Sequence, residues 1–398
     1  MWRLGFFFHE MAFGLLSIFL PLYIIAVGGS LVHVGILTAV AWLLSIPASF
    51  FWGYICDKTR RYKRYILLSF LSSTLCLYLL TFTRDVPLLM AVYVVMSIFH
   101  VAHEAPKNVL ISELYSREEW EKTFAFYEGF TESGWLIGLL LGFFATMWGV
   151  GAVDTLAICS VLNLLAFGVS IFLVADPLIV FERGLVGIER TLDFTHRGIS
   201  LASKLLDGLS VDMRLKRENV SAFCCGLILF SLATSILFTP MPIFISSIVQ
   251  NASLPQGFVF AIFVLNSAGG VAGYLLSARR FTGSSGTAGI GKVIALRGTL
   301  AFLLIAALNF RAYSVSLATT VLVAMGFVYA LFLVRTLSLS MELVPAGKSG
   351  LFNVLVGVGG ACGSFIGPLV AQTLGFPQVF ALSGVVFFLS LVAFKMFA

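Results

Sequence analysis

Four ionisable side chains crowd the run HVAHEAPK, and their spacing gives them a common direction. Counting about 100° per helical residue from His100, Glu104 falls near +40°, Lys107 near −20° and His103 near −60°, while Val101, Ala105 and Val109 lie opposite. The residues upstream are apolar over a membrane's thickness, and a charged group at the centre of a spanning helix costs about 2.5–3.5 kcal/mol on insertion scales. Such groups are retained where they do something. Two further acids, Glu128 and Glu132, stand one turn apart on the next apolar helix, Glu10 sits in the first, and Arg335 near the inner end of the tenth is read as the cation well inside the second half. Histidine among carboxylates suits proton handling, because imidazole titrates near neutral pH and neighbouring acids bear on where it does so. Other readings of the same residues stay open. His100 and Glu104 can neutralise one another as an i,i+4 pair, and His103, Lys107 and Arg335 can snorkel from the interface. Two histidines with carboxylates can also ligate a transition ion, but one short stripe without a further His or Cys cluster predicts no metal and no cofactor.

The elements that carry these groups follow from composition. The chain is 59% hydrophobic and 11% charged with a mean hydropathy of +1.01, far from the roughly quarter-charged make-up of soluble domains. A spanning helix needs about 20 apolar residues. Runs of that kind lie at 5–28, 32–55, 65–83, 87–111, 121–148 and 153–175, then at 220–248, 256–278, 293–310, 314–340, 350–373 and 377–397. They are too long and lack the period of two required of a β-barrel. At about 1.5 Å per residue His100 is about 20 Å below the outer end of span 4 and Glu132 about 16 Å above the inner end of span 5, so Glu104 and Glu132 share a level. Of 25 Lys and Arg, only Arg84 and Arg311 fall outside if the termini are cytoplasmic, which sets that orientation and a multi-pass place in the cell membrane. The net charge of +6 is then topogenic and directed at anionic lipid headgroups, with no nucleic-acid partner implied. The six cysteines lie in or beside spans without metal spacing, so no disulfide framework is expected.

Six spans on each side of a charged stretch suggest duplication. GYICDKTRR from Gly53 matches GYLLSARR from Gly273, Pro21 in FLPLY matches Pro240 in FTPMP, SEL at Ser112 matches MEL at Met341, and Gly134/Gly138 match Gly363/Gly367. These landmarks keep their order, as a tandem parallel repeat requires. The expected organisation is a six-helix bundle over 1–176, a cytoplasmic loop over 177–218 and a second bundle over 219–398. In the loop, Leu185, Ile188, Leu192 and Ile199 recur among charges at helical spacing, as in an amphipathic helix lying on the membrane.

At the loop after span 2 the chain resembles the major facilitator superfamily of secondary transporters, whose signature there is G-x-x-x-D-[RK]-x-G-[RK]-[RK]. Gly53, Asp57, Lys58 and Arg61 match, and Arg60 stands where the second glycine would be. The residues alone suggest a close helix contact at Gly53, an aspartate near a neighbouring helix N-terminus, and a basic anchor over Lys58 to Arg64. The resemblance implies an interlock of Asp57 and Arg61, with Glu113 as acidic partner, holding one face closed; Ser277 replaces the aspartate in the second half. It also implies that spans 1, 4, 7 and 10 line a cavity, into which Glu10 could project, though from about 8 Å above the inner end it could equally reach water at the inner face. Drug/proton antiporters of this superfamily carry l-x-x-x-R-x-x-q-G on helix 4. Met96, His100, His103 and Glu104 occupy that register with different chemistry, and Trp135 stands at the proline of the helix 5 motif.

No phosphate-cradling loop, metalloprotease pair or soluble catalytic domain is present in the sequence, so no enzyme is expected. The reading is an all-α, twelve-helix transporter of a small solute, monomeric, working by alternating access, coupled to protons and directed to efflux. An uncoupled facilitator, an uptake symporter and a non-transporting receptor are the alternatives. A pH gradient separates the first, and the receptor predicts a large external ligand-binding loop.

Overall fold

In the computed structural model residues 2–114, 120–176, 220–280, 288–343 and 350–397 are described. Twelve helices there are long and apolar enough to cross a membrane. In the first half they run Leu4–Ala26, Leu31–Thr59, Tyr62–Leu80, Val86–Lys107, Ala125–Met147 and Ala152–Leu173. In the second they run Val220–Asn251, Gly257–Ser277, Gly289–Asn309, Ser314–Leu337, Phe352–Thr373 and Phe376–Phe397. An even number of crossings returns both termini to one side, called here the terminal face.

Apolar side chains point outward as well as inward. Phe172 is 85% exposed and Leu43 58%, while Phe6, Phe70, Phe244 and Leu15 are fully buried. That distribution fits a surface wetted by lipid, since a water-soluble monomer rarely exposes apolar patches of such extent.

The packing repeats between the halves. Span 1 packs on spans 5 and 6, span 3 on 4 and 6, and span 2 on 4; likewise span 7 packs on 11 and 12, span 9 on 10 and 12, and span 8 on 10. The two sets meet through span 5 against span 8 and span 11 against span 2. Away from the terminal face, the Val32 backbone N–H at the start of span 2 donates to Gln372 Oε1 at the end of span 11 (3.1 Å).

Glycine rows explain the tightest of these contacts. A Cβ on Gly134 would strike the Phe7 carbonyl and one on Gly138 the Met11 carbonyl, both in span 1. In the second half, Gly363 abuts the Leu232 carbonyl and Gly367 the Ile236 carbonyl of span 7. The two seams use matched positions, because only a residue without a side chain lets two backbones come this near.

Prolines act differently in the two halves. Pro21 lies within the continuous helix Leu4–Ala26. At Thr239 and Pro240 span 7 instead bends between helices Val220–Phe238 and Met241–Asn251. The loop 177–218, with its expected amphipathic helix, lies outside the described residues.

Candidate functional site

The site begins with a defect in span 4. Pro106 has no N–H to give the Ala102 carbonyl, and its ring crowds that carbonyl. The helix Val86–His100 accordingly gives way to a 3-10 turn at Val101–His103 before a helix resumes at Glu104–Leu114. Carbonyls at such a break need other donors. The Trp52 indole N–H supplies one to Ile98 (2.9 Å), and the Ser69 hydroxyl supplies one to His100 (2.8 Å).

The break faces span 1, and there the structure adds a residue that sequence reasoning missed. His9 is fully buried, its Nε2 lies 3.1 Å from His100 Nδ1, and its Nδ1 lies 2.6 Å from Asn163 Oδ1 on span 6. The Asn163 amide nitrogen donates to the Cys159 carbonyl (3.0 Å), which aims its oxygen at His9 and so fixes the proton on His9 Nδ1. His103, 1% exposed, has Nδ1 3.1 Å from Ser69 Oγ and Nε2 3.2 Å from Glu104 Oε1. Lys107 Nζ closes the row at 2.6 Å from Glu104 Oε2. The expected stripe therefore exists, but its members bond to neighbours within one bundle. The alternative i,i+4 pairing of His100 with Glu104 gives way to His100 with His9 and Glu104 with His103 and Lys107, because the 3-10 turn rotates the residues between them. One available signal for His9 was its position beside Glu10 in span 1, one of the spans that the resemblance placed against span 4.

The carboxylates gather beside this row. Lys107 lies within electrostatic reach of Glu10, Glu104 and Glu128, and Glu10 also of Glu132. Glu10, Glu104, Glu128 and Glu132 are all half-buried. Glu128 and Glu132 both lie within electrostatic reach of Tyr274 and Tyr329 in the other bundle, and Glu132 hydrogen-bonds across to it: the Ser267 hydroxyl of span 8 donates to Glu132 Oε1 at 2.5 Å.

The second half holds a cation other than the expected one. Arg335 is half-buried, with its guanidinium against Gly289 of span 9. Arg297 of span 9 lies far deeper, 1% exposed, its carbon 4.9–5.5 Å from the ring centroids of Phe230, Phe238, Tyr329 and Phe387. Its Nη1 donates to the Met325 carbonyl (3.0 Å). The expectation that Arg335 is the cation within the second bundle is corrected to Arg297, which sits close enough to the inner end of its run to pass for an interfacial group in the sequence.

At the loop after span 2, Arg60 adopts the left-handed conformation (φ 53°, ψ 28°) that the glycine of the signature would supply, and it ends the helix Leu31–Thr59. Gly53 makes only an ordinary contact, since an added Cβ would meet Ala105 Cβ at 3.9 Å. Asp57 and Arg61 are exposed, and among the described residues Asp57 has no salt-bridge partner. Lys58 Nζ lies 5.8 Å from the Tyr54 ring centroid. The aspartate that serves the neighbouring helix N-terminus is Asp176 instead: its Oδ1 accepts from the Lys63 N–H at 2.8 Å, tying the end of span 6 to the start of span 3. Glu113 belongs to the helix Glu104–Leu114, but its side chain lies outside the described residues.

Two packed six-helix sets, with ionisable groups buried in the first and one acid bonded across to the second, have the build of a membrane transporter. Comparison places it more closely. The sequence profile of the Major Facilitator Superfamily matches residues 4–352, and the chain belongs to that family. No curated protein sequence matches it. Its fold is similar to crystal structures of the nucleoside transporter NupG, in the unmutated form and in an aspartate-to-alanine mutant. In each case the TM-score is 0.68 at 13% identity over 100% of this chain, with 98% and 99% of the other chain covered. The protein is thus a multi-pass secondary transporter rather than an enzyme.

Proposed function

We propose that this transporter moves a small solute by alternating access, coupled to protons through Glu132. The hydrogen bond from Ser267 to Glu132 across the bundle interface carries the reading. A coupling group must interact differently with the two arrangements it biases. His100 and Glu104 have their partners inside the first bundle, and those contacts persist however the bundles rock. Glu132 meets the second bundle directly. Its proton affinity differs between an interface packed against Ser267 and one open to water, so by linkage a proton shifts the arrangement. Glu10 and Glu128 border the same space and contribute to solute recognition.

Export is the direction assigned, from the register that span 4 shares with drug/proton antiporters. The termini are cytoplasmic, the location is the cell membrane, and the protein acts as a monomer among anionic lipids. The latch of Asp57, Arg61 and Glu113 operates in the arrangement that closes the terminal face.

The test begins with a thermal-shift screen for a solute, nucleosides and amines included, because a ligand of the folded state raises the melting temperature. Liposomes under an imposed pH gradient then report coupling. Glu132→Gln is expected to keep solute counterflow and lose accumulation against a gradient, and Ser267→Ala to weaken accumulation a few-fold. Accumulation by Glu132→Gln at the unmutated level contradicts the assignment.

A further inference from the structure

We propose that His9, His100 and His103 form a binding site for a divalent first-row transition-metal ion inside the first bundle. The sequence offered two histidines on one helix, and folding brings a third from span 1. One ring nitrogen from each lies within 4.8 Å of the others. Imidazole nitrogens bind zinc at about 2.0–2.1 Å, which in a tetrahedron puts ligand atoms about 3.4 Å apart. His9 Nε2 and His100 Nδ1 already stand 3.1 Å apart.

The groups behind the rings make this more than proximity. Metal-bound histidines almost always donate their other N–H to a fixed acceptor, which sets the tautomer and aims the bare nitrogen inward. Asn163 Oδ1 does this for His9 Nδ1, and the Asn163 amide is itself held by Cys159. Glu104 does it for His103 Nε2, and is itself held by Lys107. His103 Nδ1 is thereby left as the ligand atom. The single Ser69 proton goes to the His100 carbonyl (2.8 Å), so Ser69 does not tie up His103 Nδ1 by donation, and its oxygen 3.1 Å away yields to the ion. His100 Nδ1 carries the proton shared with His9 in the absence of metal, and binding moves that proton to the other nitrogen of the ring.

Three imidazoles without a thiolate suit zinc, cobalt, nickel or copper rather than magnesium or calcium. Glu104 favours the added charge, and Lys107 opposes it. All three rings lie in one bundle, so the ion braces span 1 against the break in span 4 and stays resident while the bundles rock. The site is therefore independent of the proton assigned to Glu132.

Purified protein, freed of any affinity tag and stripped with chelator, would be titrated with cobalt and zinc. Visible absorption reports cobalt geometry, elemental analysis reports stoichiometry, and melting reports stabilisation. One equivalent is expected, with tetrahedral cobalt bands and a zinc-dependent rise in melting temperature. Both would be lost in His9→Gln and in His100→Gln, while Asn163→Ala weakens binding by about 10–100-fold. His33→Gln and His196→Gln should bind as the unmutated protein does. If His9→Gln does not fold, His100→Gln bears the same expectation, since its ring is only half-buried. Absence of stoichiometric binding, binding that survives in both of the first two variants, or loss in His33→Gln or His196→Gln would overturn the proposal.

Discussion

Arg297 shows what a single side chain can hide from sequence reasoning. A guanidinium removed from water needs compensation, and among the described residues four aromatic rings and one carbonyl, with no carboxylate in an ion pair, surround this one. Each such cation–ring contact contributes about 0.5–2 kcal/mol. Lysine cannot stack flat and holds its water more strongly, whereas methionine fills the volume with no charge to bury. Thermal unfolding in detergent should therefore rank Arg297→Lys below Arg297→Met, with losses of about 2 kcal/mol or more against about 1 kcal/mol or less. The reverse order would remove the aromatic cage as the reason for the arginine. At the same scale the stripe of span 4 was legible because helical spacing is local. His9 was not, because its partners Asn163 and His100 come from elements distant in sequence.

The spans themselves were plain in the chain, since hydrocarbon thickness dictates helix length whatever the neighbours. Their interruptions were less so. The turn at Val101–His103 follows from Pro106, a residue whose consequence appears one turn upstream, and a uniform 100° wheel misplaces His103 for that reason. Glycine rows at Gly134/Gly138 and Gly363/Gly367 were visible as a pattern, but which backbone they meet required the packed structure. The seam between spans 5 and 1 predicts that Gly138→Val is destabilised by about 2 kcal/mol or more, because a side chain would displace the Met11 backbone. Gly168 has nothing within 4 Å of an added Cβ, so Gly168→Ala should be neutral or gain up to about 1 kcal/mol of helix propensity. Equal melting of the two variants would contradict the seam.

At the scale of the molecule, order-preserving landmarks in the two halves foretold the matched packing of spans 1 to 6 and 7 to 12. The divergence between halves was legible too: His103, Glu104 and Lys107 in the first stand against Phe332, Leu333 and Thr336 in the second. The sequence could not say which acid meets the other bundle, because residue counting puts Glu104 and Glu132 at one level and says nothing of the neighbour each one faces. Ser267 beside Glu132 makes that distinction.

The central claim, that a proton on Glu132 shifts the two bundles, can be tested without knowing the solute. Spin labels would be placed at Arg84→Cys and Phe310→Cys, exposed sites on loops of opposite bundles, after replacing the exposed Cys225 and Cys362 by serine. Distance distributions between the labels would be recorded across a pH series in lipid. The account predicts a pH-dependent redistribution in the Glu132 background and a distribution insensitive to pH in Glu132→Gln. The same pH response in both, or none in either, would contradict it.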